Sequence, residues 1–257
     1  MEMSYISGAE DKKENEASTN LVIEQLSIAA EGKPIVCNAS LRIEAGEIHA
    51  VMGPNGSGKS SLAYALAGHP AYIVTSGTAR LGATDLLAMK PEERAAAGLF
   101  LAFQEPPEIG GVSLQTFLAT IGNGPIAEDA MSPLLGELHL DTAFLARSLN
   151  EGFSGGEKKK SELLQMIARG PKIAILDEVD AGLDVDALGG VVSLIRRLAD
   201  SGTGVMVISH SPRIVRMLEP RIISVFIGGR IAQQGDGSIL GAIERQGFSA
   251  WESASRN

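Results

Sequence analysis

The run Gly53-Pro54-Asn55-Gly56-Ser57-Gly58-Lys59-Ser60 fits the pattern G-x-x-x-x-G-K-[ST]. The short apolar segment Ile48-His49-Ala50-Val51-Met52 precedes it. A helix is predicted to follow from Lys59 to about Ala67, closed by Gly68 and the break at Pro70. Strand, glycine-rich loop and helix in that order make a cradle for an anion. The glycines let successive backbone N–H groups turn inward, the helix N-terminus adds partial positive charge, and Lys59 adds a full one. The anion this suits is a polyphosphate, with the Ser60 hydroxyl placed on a Mg²⁺ ion bridging its outer phosphates. A chance glycine-rich turn ending in Lys-Ser is disfavoured by the strand and helix on either side.

Upstream, Leu21-Val22-Ile23 and Leu41-Arg42-Ile43 read as strands, and Glu44-Ala45-Gly46-Glu47 as a turn. Downstream, Gly98-Leu99-Phe100-Leu101-Ala102-Phe103 is almost uninterruptedly apolar, as expected of a strand buried on both faces. After Pro106-Pro107, residues from about 108 to 169 read as mainly helical, with glycine-rich interruptions. Buried-strand patterns return at Ile173-Ala174-Ile175-Leu176, at Gly204-Val205-Met206-Val207-Ile208 and at Ile222-Ile223-Ser224-Val225-Phe226-Ile227. A helix through Val191 to Leu198 separates the first two. Strands alternating with helices predict a mostly parallel α/β sheet, split into two lobes by the helical insertion.

Ile173-Ala174-Ile175-Leu176-Asp177 is a buried strand ending in an acid. A hard cation beside a phosphate loop needs such an oxygen ligand, which makes Asp177 a candidate for Mg²⁺. Glu178 follows at once, and in an extended chain it points away from Asp177, free to orient an attacking water. An acidic strand-to-loop junction is common on its own; the phosphate loop upstream gives this one its meaning.

Composition narrows the classes. The 257 residues carry 22 Lys+Arg against 31 Asp+Glu, a net charge of −9 that argues against a dedicated nucleic-acid binder. The single cysteine, Cys37, forms no internal disulfide, which favours a reducing compartment. Nor does one cysteine hold an iron–sulfur cluster or a structural zinc within the chain. The uncharged run 109–127 is broken by glycines, Pro125 and polar residues, so no membrane span is expected. Residues 1–20 read as a solvated, flexible acidic tail without the apolar core of a secretory signal or the acid-poor composition of a transit peptide, and a cytoplasmic location is expected.

Phe153-Ser154-Gly155-Gly156-Glu157-Lys158 adds a third motif. Ser154-x-x-Glu157 is a capping box opening a helix through about Arg169, which Gly170-Pro171 ends. With the phosphate loop before it and the carboxylates after it, the chain resembles the ATP-binding cassette (ABC) superfamily, whose signature this motif matches. That resemblance implies a mostly parallel core sheet with an antiparallel β subdomain and an inserted α-helical subdomain. It places one ABC ATPase domain over 21–252, with a core lobe at about 21–104 and 170–252, a helical insertion at about 105–169, and a short tail at 253–257. It implies Mg-dependent hydrolysis of ATP, slow without partners, at a site made of Gly53, Pro54, Asn55, Gly56, Ser57, Gly58, Lys59, Ser60 and Ser61. Ser154, Gly155 and Gly156 would meet the γ-phosphate of ATP bound to a second copy, in a head-to-tail dimer that forms with ATP. Gln104 would touch metal and attacking water, Asp184 would lie on the loop that crosses the dimer, and His210 would contact the γ-phosphate. Catalysis would thus fall to Glu178, His210 and Gln104, and the metal to Ser60, Gln104 and Asp177.

Within the superfamily, several stretches are similar to the iron–sulfur cluster assembly ATPases, the SufC family. They are 49–60, Phe103-Gln104-Glu105-Pro106-Pro107-Glu108-Ile109-Gly110-Gly111-Val112-Ser113, 153–160, 175–184 and Gly247-Phe248-Ser249-Ala250-Trp251. The resemblance implies scaffold partners resembling SufB and SufD, with no direct membrane insertion and no nucleic acid. Transporter engines, the alternative, commonly open the signature with Leu, where Phe153 stands here, and carry Ser-Ala-Leu-Asp where this chain has Ala181-Gly182-Leu183-Asp184. The stretch from Leu26 to Val36 has none of the aromatics on which such engines often stack adenine. His49, His69 and His139 match nothing in the pattern and are expected to be structural, and Lys158-Lys159-Lys160 is expected to form a solvated face.

Overall fold

A computed structural model describes residues 20–122, 124–183 and 185–254. Residues 1–19 and 255–257, where most of the two expected tails fall, and Asp184 lie outside the described residues. The chain opens with the hairpin β1 (Leu21–Ala30) and β2 (Lys33–Ile43), then β3 (Ile48–Met52) and α1 (Lys59–Ala67). β4 (Ile73–Leu81), β5 (Thr84–Asp85), α2 (Pro91–Ala97) and β6 (Leu99–Ala102) complete the first half of the core. The middle holds β7 (Ile109–Ser113), α3 (Leu114–Ile121), α4 (Glu128–Glu137), β8 (Ser148–Leu149) and α5 (Gly155–Arg169). The second half brings β9 (Ile173–Asp177), α6 (Val185–Asp200), β10 (Gly204–Ser209), α7 (Pro212–Leu218), β11 (Ile222–Ile227) and β12 (Arg230–Gly235). Two helices close it, α8 (Ser238–Gln246) and α9 (Ser249–Ala254).

Among the described residues the main sheet has the order β12-β11-β3-β10-β9-β6. It is parallel except for β12, which runs antiparallel to β11 at the edge. Successive residues of its central strands feed different cores, as a period of two requires. Ala174 and Leu176 of β9, with Val205 and Val207 of β10, face the cluster built on α3, α5, α6 and α7. Ile173 and Ile175, with Met206 and Ile208, face α1 and the antiparallel sheet β2-β1-β4-β5. Both faces being covered explains why these strands read as continuous apolar runs.

α1 occupies the predicted span and ends at Gly68, which is left-handed. α5 also begins and ends where its capping box and Gly170 predict, with both bonds of the box formed. Residues 109–113, within the stretch read as mainly helical with glycine-rich interruptions, form β7, which pairs irregularly with β8 at Ile109↔Leu149 and Ser113↔Ser148. Gly110-Gly111 disfavours a helix there, and Ser113 caps α3 instead by accepting from the Thr116 N–H at 3.1 Å.

The inserted segment is seated closely on the core. At Gly190 of α6 a Cβ would lie 2.1 Å from the carbonyl oxygen of Glu137, so only glycine lets the end of α4 approach. The Glu137 carboxylate also receives both terminal nitrogens of Arg197, at 2.8 and 3.0 Å.

Candidate functional site

The loop between β3 and α1 rests on the turn between β11 and β12. The Gly229 N–H donates to the Ser57 carbonyl at 2.8 Å, and the Cys37 N–H on β2 to the Gly229 carbonyl at 2.8 Å. Gly53 packs so closely that a Cβ would fall 2.1 Å from the Phe226 carbonyl oxygen. Lys59 is buried and folds back along the loop, its Nζ donating to the carbonyls of Gly53 and Pro54 at 2.9 Å each. Burial pushes its pKa down, against the opposing pull of Glu178 and Asp177. A cavity of about 490 Å³ opens over the loop. Asn55, Gly56, Ser57, Gly58, Lys59, Ser60 and Ser61 line it, together with Gln104 and Glu178. Ile35 of β2 lines it as well, a residue the motifs alone do not single out.

Asp177 ends β9 with its side chain buried, and neither carboxylate oxygen has a hydrogen-bond partner of good geometry. Burial raises its pKa, while the adjacent Ser60 hydroxyl draws it down. An orphaned carboxylate next to a hydroxyl is the donor set a Mg²⁺ ion uses when phosphates and waters supply the remaining ligands. No cluster of three or more His, Cys, Asp or Glu suited to a metal occurs among the described residues.

Glu178 leaves the extended backbone expected of it, since β9 ends at Asp177. Its φ is +50°, in the left-handed region. Its N–H donates to the Ile208 carbonyl at 2.9 Å, and its own carbonyl accepts from the Ala181 N–H at 3.0 Å. That turn aims the carboxylate at two other predicted residues. Gln104 Nε2 donates to Glu178 Oε2 at 2.9 Å, and His210 Nδ1 lies 3.0 Å from Glu178 Oε1. An ionised carboxylate only accepts, so Nδ1 of His210 carries the hydrogen. The three residues assigned to catalysis, from the ends of three strands, therefore meet at one carboxylate.

Ser154, Gly155 and Gly156 are not among the residues lining this cavity. They form the start of α5, where Glu157 closes the capping box and also pairs with Arg147 at 2.6 Å. The Arg147 guanidinium in turn lies 4.3 Å over the Phe153 ring. A Cβ on Gly155 would meet nothing within 4 Å, so this surface is open to an incoming group. Asp184 belongs to the residues outside the description. The lysine run is not a solvated face throughout. Lys158 pairs with Glu108 at 2.8 Å, and Lys159 is 4% exposed. The signal was legible: Lys159 shares its helix face with Leu163 and Met166, four and seven residues on. His49 is buried, with Nε2 2.7 Å from Ser224 Oγ and Nδ1 3.2 Å from the Arg42 carbonyl.

A phosphate loop, a second acidic strand end and a capped signature helix in this order define an ABC-type ATPase, and the family model described as "ABC transporter" matches residues 36–181. The chain belongs to that family; it is an ATP-binding subunit that hydrolyses ATP. It is 42% identical to the "Probable ATP-dependent transporter SufC" of Escherichia coli (strain K12), over 89% of this chain and 97% of that protein. It is likewise 42% identical to "Vegetative protein 296" of Bacillus subtilis (strain 168), over 90% of this chain and 93% of that one. A solved "ATP binding subunit of ABC transporter" superposes with a TM-score of 0.75 at 21% identity, over 89% of this chain and 93% of that one. A dimeric ATP-binding cassette in a post-hydrolysis state, bound to ADP and Pi, gives 0.71 at 19%, over 84% and 98%. Both likenesses concern the fold. No helix among the described residues is long and apolar enough to cross a membrane.

Proposed function

We propose that the chain is the ATP-hydrolysing subunit of a cytoplasmic iron–sulfur cluster assembly complex, acting on scaffold proteins resembling SufB and SufD. The observation that carries this reading is the 42% identity to SufC over 97% of that protein's length. One cysteine leaves the cluster ligands to the partner, as a motor subunit requires. A second reading, the engine of a membrane transporter, is favoured by the word "transporter" in the relatives' names. Phe153 and Ala181-Gly182 speak against it.

Two copies associate head to tail, each ATP held by 53–61 of one chain and by Ser154, Gly155 and Gly156 of the other, with Asp184 on the crossing loop. Mg²⁺, when bound, neutralises charge across the outer phosphates. Ser60, Asp177 and Gln104 would hold it. Lys59 turns from the loop carbonyls to the phosphate oxygens. Glu178 releases one of its two side-chain partners and orients the attacking water, while His210 turns to the γ-phosphate. Closure of the dimer reshapes the scaffold, and hydrolysis resets it.

Glu178→Gln tests the site: ATP binding persists, turnover falls on the order of 10²–10⁴-fold, and light scattering shows a dimer trapped with ATP and Mg²⁺. A monomer at saturating ATP removes the sandwich. Affinity purification from the source cells, read by mass spectrometry, tests the partner. Soluble scaffolds carrying iron or sulfur support the assembly role, and a polytopic membrane protein replaces it with the transporter reading.

A further inference from the structure

Two charged side chains of α5 lie deeper than a surface helix calls for: Lys159 is 4% exposed and Glu162 is 3% exposed. Glu162 Oε1 accepts from the Phe103 N–H at 2.6 Å. Lys159 Nζ donates to the Phe103 carbonyl at 2.5 Å and, at 3.4 Å, to that of Asp177. The two side chains are 3.7 Å apart. Both backbone polar groups of Phe103 are thus held from α5 just where β6 has ended. Phe103 precedes Gln104, and Asp177 precedes Glu178.

This arrangement is costly for stability alone. Burial pushes Glu162 up to about 7 and Lys159 down, and their mutual attraction offsets only part of it. A buried ion pair is often no better for stability than apolar side chains of the same volume. What apolar side chains cannot do is hold the N–H and C=O of an irregular backbone segment. We infer that Glu162 and Lys159 are positioning residues for hydrolysis, fixing from the signature helix the backbone that aims Gln104 and Glu178 at each other. The inference rests on the hydrolytic roles proposed above for Gln104 and Glu178. It gives α5 two tasks: its first turn faces the partner's nucleotide, and its second turn sets the geometry of its own chain's hydrolytic residues.

The test compares steady-state hydrolysis, equilibrium ATP affinity and melting temperature for the full-length wild type, Glu162→Leu, Glu162→Gln, Lys159→Met and, as control, Glu178→Gln. In Glu162→Leu and Lys159→Met, kcat falls on the order of tenfold or more while ATP affinity stays within about threefold. Glu162→Gln, which keeps an oxygen acceptor for the Phe103 N–H, recovers most of the loss. If Glu162→Leu does not fold, Lys159→Met and Glu162→Gln decide by the same criteria. A kcat within about twofold of wild type in Lys159→Met overturns the inference, as does loss of kcat, affinity and melting temperature together with no rescue by Gln. Wild-type turnover in Glu178→Gln overturns the hydrolytic reading and this inference with it; the other outcomes bear on the inference alone.

Discussion

At the scale of single residues, the side chains proposed for hydrolysis converge on one carboxylate. Glu178 pays for its left-handed backbone, a strain of order 1–2 kcal/mol for an ordinary L-residue, and the turn brings it within reach of Gln104 and His210. The identities of Lys59, Asp177 and Glu178 were legible because each follows an apolar strand at a fixed offset. The conformation of Glu178 was not, since no local pattern announces a positive φ at a glutamate. Nor is Ile35 legible as a cavity residue, because an isoleucine on a strand carries no chemical label. Two outcomes are expected at this scale. Lys59→Ala loses ATP binding by calorimetry, a drop on the order of a hundredfold or more for a charge-assisted contact to phosphate. His210→Ala lowers turnover while ATP affinity changes little, and unchanged turnover returns His210 to a loop-stabilising role.

At the scale of elements, caps and breakers carried the most information. Gly68 and the Ser154–Glu157 box put α1 and α5 where they are, since both are local hydrogen-bonding devices. Strands with exposed residues were harder to see: β4 is mostly exposed and carries Gly77, and β7 has two glycines in five residues. The two charges buried on α5 produce a pH dependence with a definite sign. Glu162 titrates at about 7 when folded, above its ordinary 4.5, because burial disfavours its charge. Between those values the folded chain holds a proton that the unfolded chain has released. Its stabilising contribution is therefore complete below about pH 4.5 and lost as pH rises through about 7. Urea midpoints at about pH 5 and 8 should show the wild type losing ground against Glu162→Gln at the higher pH. Parallel pH profiles for the two proteins would contradict this.

At the scale of the whole molecule, the parallel sheet was legible because strands covered on both faces are apolar throughout, and three of them read as unbroken runs. The antiparallel sheet β2-β1-β4-β5 was visible only in fragments, 21–23 and 41–43, because its outer residues face solvent and break the pattern. No sequence pattern places the signature away from the cavity of its own chain; that separation belongs to the assembled fold, and it is what a shared nucleotide site between two copies requires.

The contact at Gly190 bears on how this protein could be engineered. Replacing glycine by alanine inside a helix is a routine route to thermostability, gaining about 0.5–1 kcal/mol where space allows. α6 offers two adjacent targets that look alike on paper, Gly189 and Gly190. A Cβ at Gly189 meets nothing within 4 Å, whereas at Gly190 it strikes the Glu137 backbone. Gly189→Ala is therefore expected to raise the melting temperature slightly. Gly190→Ala should lower it and wedge α4 away from α6, loosening the Arg197–Glu137 pair, so a design protocol guided by helix propensity alone would choose correctly at one position and damage the protein at the next.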